Sequence, residues 1–356
     1  MGHGRWMIYG ANGYTGRLIA LEASARGLKL MLAGRNGTAL RPISNETGYP
    51  ARLFSLNASP QTIAQHYLSD IDGVLNCAGP FSETAIPLAK ACLYAGIHYL
   101  DITGELSVFE ELHGLHREAR KKKVVICPGV GFDVVPTDCV AATLKEKLPD
   151  ANKLALAFKT KGSISAGTAK TGVEIFRKGG KIRQMSNLVN VPLGKITRKI
   201  SFHGKEVDAS CFPLADLATA YRTTNIPNIE TFIPLPKDKN DKLRYLQYAR
   251  YLLAFPPLEN LIKNKVGQRQ GPSPADRAQS KAEIWGEAEN AQGKKVIVEM
   301  TTADPYDVTV ESALGVMEYL KEFTVTQGGY YTPAKLMGAN FICALPGSSE
   351  MTIKTT

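Results

Sequence analysis

The chain has 356 residues, of which 44% are hydrophobic and 21% are charged, and its formal net charge is +10. This is ordinary globular composition at a length that suggests two domains. No apolar run reaches the roughly 18 residues of a membrane span, and the basic residues follow no nucleic-acid-binding motif, so we predict neither a membrane span nor nucleic-acid binding.

Cysteine usage and the first residues of the chain predict a cytoplasmic location. The start, MGHGRWMIYG, lacks the longer apolar segment of a signal peptide. The six cysteines form no CxxC pair, and three of them lie in apolar runs. We therefore expect reduced thiols in an unexported protein.

From Trp6 to Cys127, short apolar runs alternate with helical stretches, a pattern typical of a parallel α/β sheet. Helices are predicted over Tyr14 to Arg26, Pro60 to Ser69 and Thr84 to Ala95. The six runs are WMIY (Trp6 to Tyr9), LMLA (Leu30 to Ala33), ARLFSL (Ala51 to Leu56), GVLNCA (Gly73 to Ala78), HYLD (His98 to Asp101) and VVIC (Val124 to Cys127). The pattern predicts a doubly wound sheet of the Rossmann type.

A glycine motif, IYGANGYTGRLIA, follows the first strand and opens the first helix. Gly10 permits the tight turn, Gly13 lets the backbone approach a pyrophosphate, and Gly16 lets the helix pack on the strand. The helix N-terminus then offers its amides to the phosphates. We predict a dinucleotide site at Gly10, Asn12, Gly13, Tyr14, Thr15 and Gly16.

The second strand ends in LAGRN, where an NAD-specific site usually carries an acidic residue for the ribose hydroxyls. Here Gly34 is followed by Arg35 and Asn36. A guanidinium forms paired, charge-assisted hydrogen bonds with a 2′-phosphate, and no carboxylate repels it. We therefore predict that the cofactor is NADP(H) and that Arg35 and Asn36 belong to its binding site.

The ends of the later strands supply the rest of the crevice, because ligands bind at the carboxyl edge of such sheets. The fourth strand ends in NCAGPF, which adds Asn76, Ala78, Gly79 and Pro80 to the predicted cofactor site. Hydride transfer also needs a proton donor or a polarising group at the acceptor, and we choose Asp133 and Glu105 as candidate catalytic residues. No third ligand accompanies the HxxH pair His113 and His116, so no metal site is predicted.

Beyond the run PGVGFDVVPTD (Pro128 to Asp138), longer alternating runs such as KLALAFKT predict an α+β substrate domain with a mixed or antiparallel sheet. The predicted boundaries are 1–135 for the nucleotide domain and 136–304 for the substrate domain, with helices in about 305–345 packing back on the former. A basic amphipathic helix is predicted over Leu243 to Lys265, within the proline- and lysine-rich segment 222–289. It is suited to a membrane surface, an acyl carrier, a homodimer partner or its own domain, and the sequence leaves these alternatives open.

Several motifs in this order, GANGYTG, LAGRN, NCAGPF, YLDITGE and PGVGFDVVPTD, resemble the saccharopine dehydrogenase-like oxidoreductases, and among them the trans-acting enoyl reductases. Further landmarks, from GSISAGTAKT (Gly162 to Thr171) to GGYYTPAKLMG (Gly328 to Gly338), extend the resemblance over nearly the whole chain. The resemblance implies a Rossmann domain, a mixed-sheet second domain and NADPH as hydride source.

The function expected from the residues and the resemblance is an NADP(H)-dependent oxidoreductase that reduces a carbon-carbon double bond of a small or carrier-bound, lipid-like acyl substrate. A first alternative is a saccharopine- or opine-type dehydrogenase that acts on a carbon-nitrogen bond. A second alternative is a dinucleotide-binding scaffold without catalysis. Clustered arginines in the cleft would favour the first alternative, and a blocked nicotinamide pocket would favour the second.

Overall fold

The computed structural model describes residues 5–160, 176, 178–249, 271–322 and 327–355. These residues divide into two compact units. The first contains residues up to Val135 together with Tyr306–Met337, and the second contains Pro136–Pro305 together with Gly338–Thr356. The chain therefore leaves the first unit after Val135 and returns to it at Tyr306.

The first part of the chain alternates between strands and helices, as the apolar runs predicted, with two consecutive helices before its last strand. The elements are β1 (Trp6–Tyr9), α1 (Tyr14–Ala25), β2 (Leu30–Gly34), α2 (Gly37–Thr47), β3 (Ala51–Leu53), α3 (Pro60–Tyr67), β4 (Gly73–Asn76), α4 (Phe81–Ala95), β5 (His98–Asp101), α5 (Leu106–His113), α6 (His116–Lys122) and β6 (Val125–Cys127).

The second part begins with a helix and continues through longer strands. The elements are α7 (Val135–Lys147), β7 (Lys153–Thr160), β8 (Gly180–Gln184), β9 (Asn187–Val191), β10 (Thr197–Phe202), β11 (Lys205–Cys211), α8 (Asp216–Thr224), β12 (Asn228–Pro234), α9 (Lys237–Ala249), α10 (Pro274–Gln279), β13 (Ala282–Glu289), β14 (Lys295–Thr302), α11 (Pro305–Glu322), β15 (Gly329–Tyr330), α12 (Pro333–Met337), a 3-10 turn (Phe341–Ala344) and β16 (Thr352–Thr355).

The sheet of the first unit is parallel throughout its described strands, in the order β15-β6-β5-β4-β1-β2-β3. Every residue of β1, β2 and β4 is buried, because helices cover both faces of such a sheet. This burial explains why these strands are continuous apolar runs. All these strands end at one edge, where the glycine motif and NCAGPF lie.

Several predicted elements differ in length from the observed ones, among them an outer strand and the basic helix. The predicted strand Ala51 to Leu56 stops at Leu53, because β3 is the outer strand of the sheet and the chain then turns inward to bury Phe54. The predicted helix Leu243 to Lys265 begins earlier, at Lys237, directly after Pro236. Its part from residue 250 onward lies outside the described residues.

The chain returns to the first unit through α11 and β15. Ser312 on α11 donates a hydrogen bond to the carbonyl of Val130 at 2.7 Å, and Arg26 on α1 forms an ion pair with Glu311. Gly329 of β15 pairs with Val125 of β6. The last strand of the nucleotide-binding sheet therefore comes from a segment about 200 residues further along the chain.

The second unit is built on a nine-stranded sheet in the order β10-β11-β12-β7-β13-β14-β16, with β8 and β9 attached at β12. The sheet is mixed, because β7 and β12 run parallel while the other described pairs are antiparallel. Helix α7 packs closely on β13, since a Cβ at Gly286 would lie 2.6 Å from Val140. The predicted fold class, a Rossmann sheet with a second mixed-sheet unit, is confirmed. Among the described helices, none has a stretch apolar and long enough to cross a membrane.

Candidate functional site

The turn between β1 and α1 has the geometry of a phosphate cradle. Gly10 adopts a left-handed φ of +86°, and a Cβ there would lie 2.7 Å from the amide nitrogen of Ala78. A Cβ at Gly16 would lie 2.6 Å from the carbonyl oxygen of Gly10, so only glycine lets the helix approach the turn this closely. Gly13 is the N-cap of α1, and within the described residues no side chain caps this helix. The first-turn amides of α1 are therefore oriented toward an incoming anion.

The other predicted residues of the glycine motif line the same turn. Asn12 is exposed, and its Oδ1 lies 3.4 Å from the position that a Cβ on Gly34 would take, at the end of β2. Tyr14 and Thr15 are half-buried in the first turn of α1. The ring of Tyr14 packs edge-on against Tyr306, with ring centroids 4.9 Å apart. The structure thus brings the six predicted motif residues together beside β2.

Arg35 and Asn36 follow directly on β2, at the predicted position for the 2′-phosphate. Both are exposed. In the described part of the chain, Arg35 has no hydrogen bond or ion pair, so its guanidinium is available to an anion. Asn36 already has one role: its Oδ1 accepts a hydrogen bond from Ala39 at 3.2 Å and caps α2. A 2′-phosphate contact at Asn36 would use its remaining amide donor.

Asn76, predicted to bind the cofactor, holds the turn after β4 through its side chain. Its Nδ2 donates to Thr84 Oγ1 at 3.1 Å and to Tyr99 OH at 3.2 Å, while its Oδ1 accepts from the Ala78 amide at 3.0 Å. Thr84 in turn donates to the carbonyl of Ala78 at 2.6 Å. Ala78 is half-buried, and the next two residues, Gly79 and Pro80, are exposed at the sheet edge. The side chain of Asn76 therefore shapes the turn, and the exposed backbone of Gly79 and Pro80 remains for a ligand.

Asp101, at the end of β5, continues the same buried network. Its Oδ2 accepts from Tyr99 OH at 2.9 Å, and its Oδ1 accepts from the amides of Thr103 at 3.0 Å and Gly129 at 2.9 Å. Burial raises the pKa of Asp101 to about 6, and the hydrogen bonds from these donors oppose that rise. Sequence reasoning did not identify Thr84 and Gly129 as site residues, because a threonine in a helix and a glycine in a loop carry no local signal of such contacts.

Glu105, predicted as a proton donor, occupies the N-terminus of α4. Its Oε1 accepts from the Phe81 amide at 2.8 Å, and its Oε2 accepts from the Ser82 amide at 3.0 Å. A carboxylate that accepts hydrogen bonds from two amides at a positive helix end is stabilised in its ionised form. This geometry disagrees with a role as acid and favours a role in fixing the turn beside the crevice. Its catalytic assignment therefore loses its support.

Asp133 presents its carboxyl differently. The side chain is exposed, and within the described residues it has no hydrogen-bond partner. Its Oδ2 lies 2.6 Å from the position of a Cβ on Gly104, so the glycine leaves room for the carboxyl beside the end of β5. Surrounding protein atoms raise the pKa of Asp133 to about 6 by desolvation, although its exposure to solvent argues for a smaller rise. The loop is held by the Phe132 amide, which donates to Thr309 Oγ1 at 3.0 Å.

Among the described residues, no cluster of three or more histidine, cysteine, aspartate or glutamate side chains could hold a metal ion.

The carboxyl edge of the first sheet combines a cradle that excludes side chains, an exposed cation after β2 and one carboxyl with an open face. Together with the parallel sheet, these features define a dinucleotide-binding domain.

Comparisons with known proteins identify the kind of domain. Residues 6–127 match the model of the saccharopine dehydrogenase NADP binding domain. The match confirms the predicted resemblance to saccharopine dehydrogenase-like oxidoreductases and NADP(H) as the cofactor. Residues 6–127 are therefore an NADP-binding domain similar to that of saccharopine dehydrogenases.

Two similar curated proteins are mycobacterial. A putative trans-acting enoyl reductase of Mycobacterium tuberculosis is 28% identical over 183 residues, which cover 48% of this chain and 43% of that protein. A trans-acting enoyl reductase of Mycobacterium ulcerans is 28% identical over 200 residues, which cover 52% and 48%. The matches thus span less than half the length of these relatives.

The solved structure of apo saccharopine dehydrogenase (L-Glu forming) from Saccharomyces cerevisiae is similar with a TM-score of 0.67, covering 99% of this chain and 100% of that one at 11% identity. At this identity, the likeness concerns the fold.

Proposed function

We propose that this chain is an NADPH-dependent reductase of a carbon-carbon double bond in an acyl or lipid-like substrate, with Asp133 as the proton donor. Nucleotide binding is assigned to residues 1–135, and substrate binding to residues 136–304. The names of the mycobacterial relatives support the reaction class. The observation that carries the role of Asp133 is its exposed carboxyl, without a hydrogen-bond partner among the described residues, at the edge where the cradle lies.

Reduction of a double bond conjugated to a carbonyl requires two additions. When bound, NADPH would supply the hydride that is added at the β carbon. A proton must then reach the α carbon, and in this proposal Asp133 holds that proton on a carboxyl oxygen. Asp101 and Glu105, the neighbouring carboxyls, already accept two or three hydrogen bonds each and have less freedom to donate.

The substrate we propose is an enoyl thioester, either small or bound to an acyl carrier. The test is NADPH consumption by the whole protein with enoyl thioesters of increasing chain length, and saccharopine-type substrates run in parallel. Reduction of at least one enoyl thioester supports the proposal. Turnover of only carbon-nitrogen substrates would replace it with the opine-type alternative, and tight NADPH binding without turnover of either class would favour the scaffold.

Asp133→Asn tests the proton donor. A general acid contributes about 100- to 10,000-fold, so we expect kcat to fall by about 100-fold or more while NADPH affinity is unchanged. Because the protonated form is active, the parent's rate should fall as pH rises through the pKa of Asp133, and the variant should lack this limb. Glu118→Gln, which neutralises an exposed carboxylate on α6, is the control. A variant with the parent's kcat would remove Asp133 from the mechanism.

A further inference from the structure

The second unit contains a cavity of about 340 Å³ that is lined largely by charged side chains. Its walls come from the turn before β10, the strands β10 and β11, and helix α9. Five basic side chains and two carboxylates line it. The basic residues are Lys195, Arg198, Lys199, Lys237 and Arg244, and the acidic ones are Asp208 and Asp241. The described part of the nucleotide site contains none of these residues.

The cavity is held open by contacts between the turn and the helix. Gly194 has a left-handed φ of +72°, and a Cβ there would lie 2.7 Å from Cγ of Arg244. Asn240 is 6% exposed, and its Nδ2 donates to the carbonyl of Gly194 at 3.0 Å. The turn and α9 are thus fixed against one another by a buried hydrogen bond and a close approach that glycine permits.

The charges around the cavity are only partly compensated. Arg198 pairs with Glu287 at 3.0 Å, and Lys199 pairs with Glu206 at 3.4 Å. Across the part of the chain that the structure describes, Lys195, Lys237 and Arg244 form no ion pair or hydrogen bond through their side chains. Three unpaired cations and two carboxylates, Asp208 and Asp241, therefore border one concave surface, and its net positive charge attracts anionic ligands.

Helix α9 contributes a defined face to this surface. Residues 237, 240, 241 and 244 follow the i, i+3, i+4, i+7 spacing that places side chains on one side of a helix, and all four line the cavity. Lys239 and Lys242 belong to the same helix but are not part of the lining. The helix thus offers two pairs of cations, one at the cavity and one away from it.

We propose that this cavity is a binding site for a phosphate ester. The phosphate lies among Lys195, Lys237 and Arg244. Lysine and arginine both bind phosphate, arginine through paired hydrogen bonds. The proposal concerns a site separate from the NADP(H) cradle and does not depend on the reaction that the first unit supports.

The test is isothermal titration of the whole protein with coenzyme A, pantetheine and inorganic phosphate, with NADPH present at saturation so that the nucleotide site is filled. Coenzyme A should bind, inorganic phosphate should compete with it, and pantetheine, which lacks phosphate, should bind at least about tenfold more weakly. Binding should weaken as salt is added, because the cations are accessible to solvent.

Two pairs of variants separate the cavity from general attraction by a basic helix. Lys237→Met and Arg244→Met remove cations at the cavity while keeping their apolar stems, and each should weaken coenzyme A by about tenfold or more. Lys239→Met and Lys242→Met remove the same charge elsewhere on α9 and should change affinity by less than about twofold. Unchanged NADPH affinity in all four variants shows that they are folded.

Three results would overturn the proposal. The first is that neither coenzyme A nor inorganic phosphate binds to the NADPH-saturated protein. The second is an equal loss of affinity in both pairs of variants. The third is binding to anionic phospholipid vesicles without binding to coenzyme A, which would assign the cations to a membrane surface.

Discussion

We predict that the fold tolerates a side chain at Gly13 but that the bound cofactor does not, and Gly13→Val tests this prediction. The φ and ψ of Gly13 are −72° and 160°, an extended conformation that any residue adopts. A Cβ there would lie 3.3 Å from the carbonyl oxygen of Gly10 and 3.9 Å from that of Cys77, with nothing else within 4 Å. The described protein therefore leaves room for a side chain at this position, and we predict that the pyrophosphate occupies that room.

We expect Gly13→Val to change the stability of the fold less than it changes the affinity for NADPH. Replacing a glycine in a permitted conformation restricts the unfolded chain and stabilises by about 0.4 to 1 kcal/mol, which offsets part of the cost of the 3.3 Å contact. We therefore expect the free energy of unfolding to change by about 1 kcal/mol or less. Displacing the pyrophosphate removes charged hydrogen bonds of about 1.5 to 3 kcal/mol each, so NADPH should bind at least about tenfold more weakly.

Fluorescence titration with NADPH and urea unfolding measure the two effects on the same sample. Gly16→Ala is the contrasting variant, because its Cβ would lie 2.6 Å from the carbonyl of Gly10 and would force α1 away from the turn. We expect that variant to lose about 1 to 3 kcal/mol of stability through overpacking. A folded Gly13→Val protein with the parent's NADPH affinity would refute the placement of the pyrophosphate.

Two further predictions concern Arg35 and Asp101. Arg35→Ala should weaken NADPH by about 1.5 to 3 kcal/mol and leave NADH nearly unchanged in the same titration, whereas an equal loss for both would remove Arg35 from the 2′-phosphate site. Burial raises the pKa of Asp101 from 3.8 to about 6, so the folded protein holds this proton more tightly than the unfolded chain. The resulting stability, about 3 kcal/mol, is complete below about pH 3.8 and is lost as pH rises through about 6. Asp101→Asn should remove that loss in urea unfolding measured across this range, and a variant with the parent's pH slope would contradict the assignment.

The central strands of the first sheet could be predicted because their burial on both faces requires a local run of apolar residues. A strand buried on both faces is apolar throughout, as WMIY in β1 illustrates. Strand β15 has no such signal, because it contains only Gly329 and Tyr330. Its position depends on a backbone contact: a Cβ at Gly328 would lie 2.5 Å from the carbonyl oxygen of Ala119. A contact between residues 209 positions apart has no periodic pattern to reveal it.

In the candidate site, too, some features follow from the local sequence and others depend on distant parts of the chain. The glycine motif is local, so its turn and helix could be predicted from spacing alone. The role of Glu105 could not be predicted in this way, because its partners are the backbone amides of Phe81 and Ser82. Backbone amides occur throughout any sequence and give no local signal. An acidic residue after a strand indicates the edge of a sheet, but whether it faces solvent or a helix end is decided by the path of the chain. Asp133 and Glu105 were therefore equivalent in sequence and differ in structure.

The position of Glu105 also bears on why the pyrophosphate should choose α1. Helices α1 to α4 follow the first four strands, and each has an N-terminus that attracts anions. Asn36 caps α2, Ser59 caps α3, and the carboxylate of Glu105 covers the first amides of α4. Helix α1 has no acidic residue in its first turn and, within the described residues, no side-chain cap. A phosphate at α4 would have to displace the carboxylate of Glu105, whereas the first amides of α1 follow a glycine-rich turn and have no side-chain cap among the described residues. Glu105 therefore occupies the competing helix end, and we expect its charge to disfavour phosphate there.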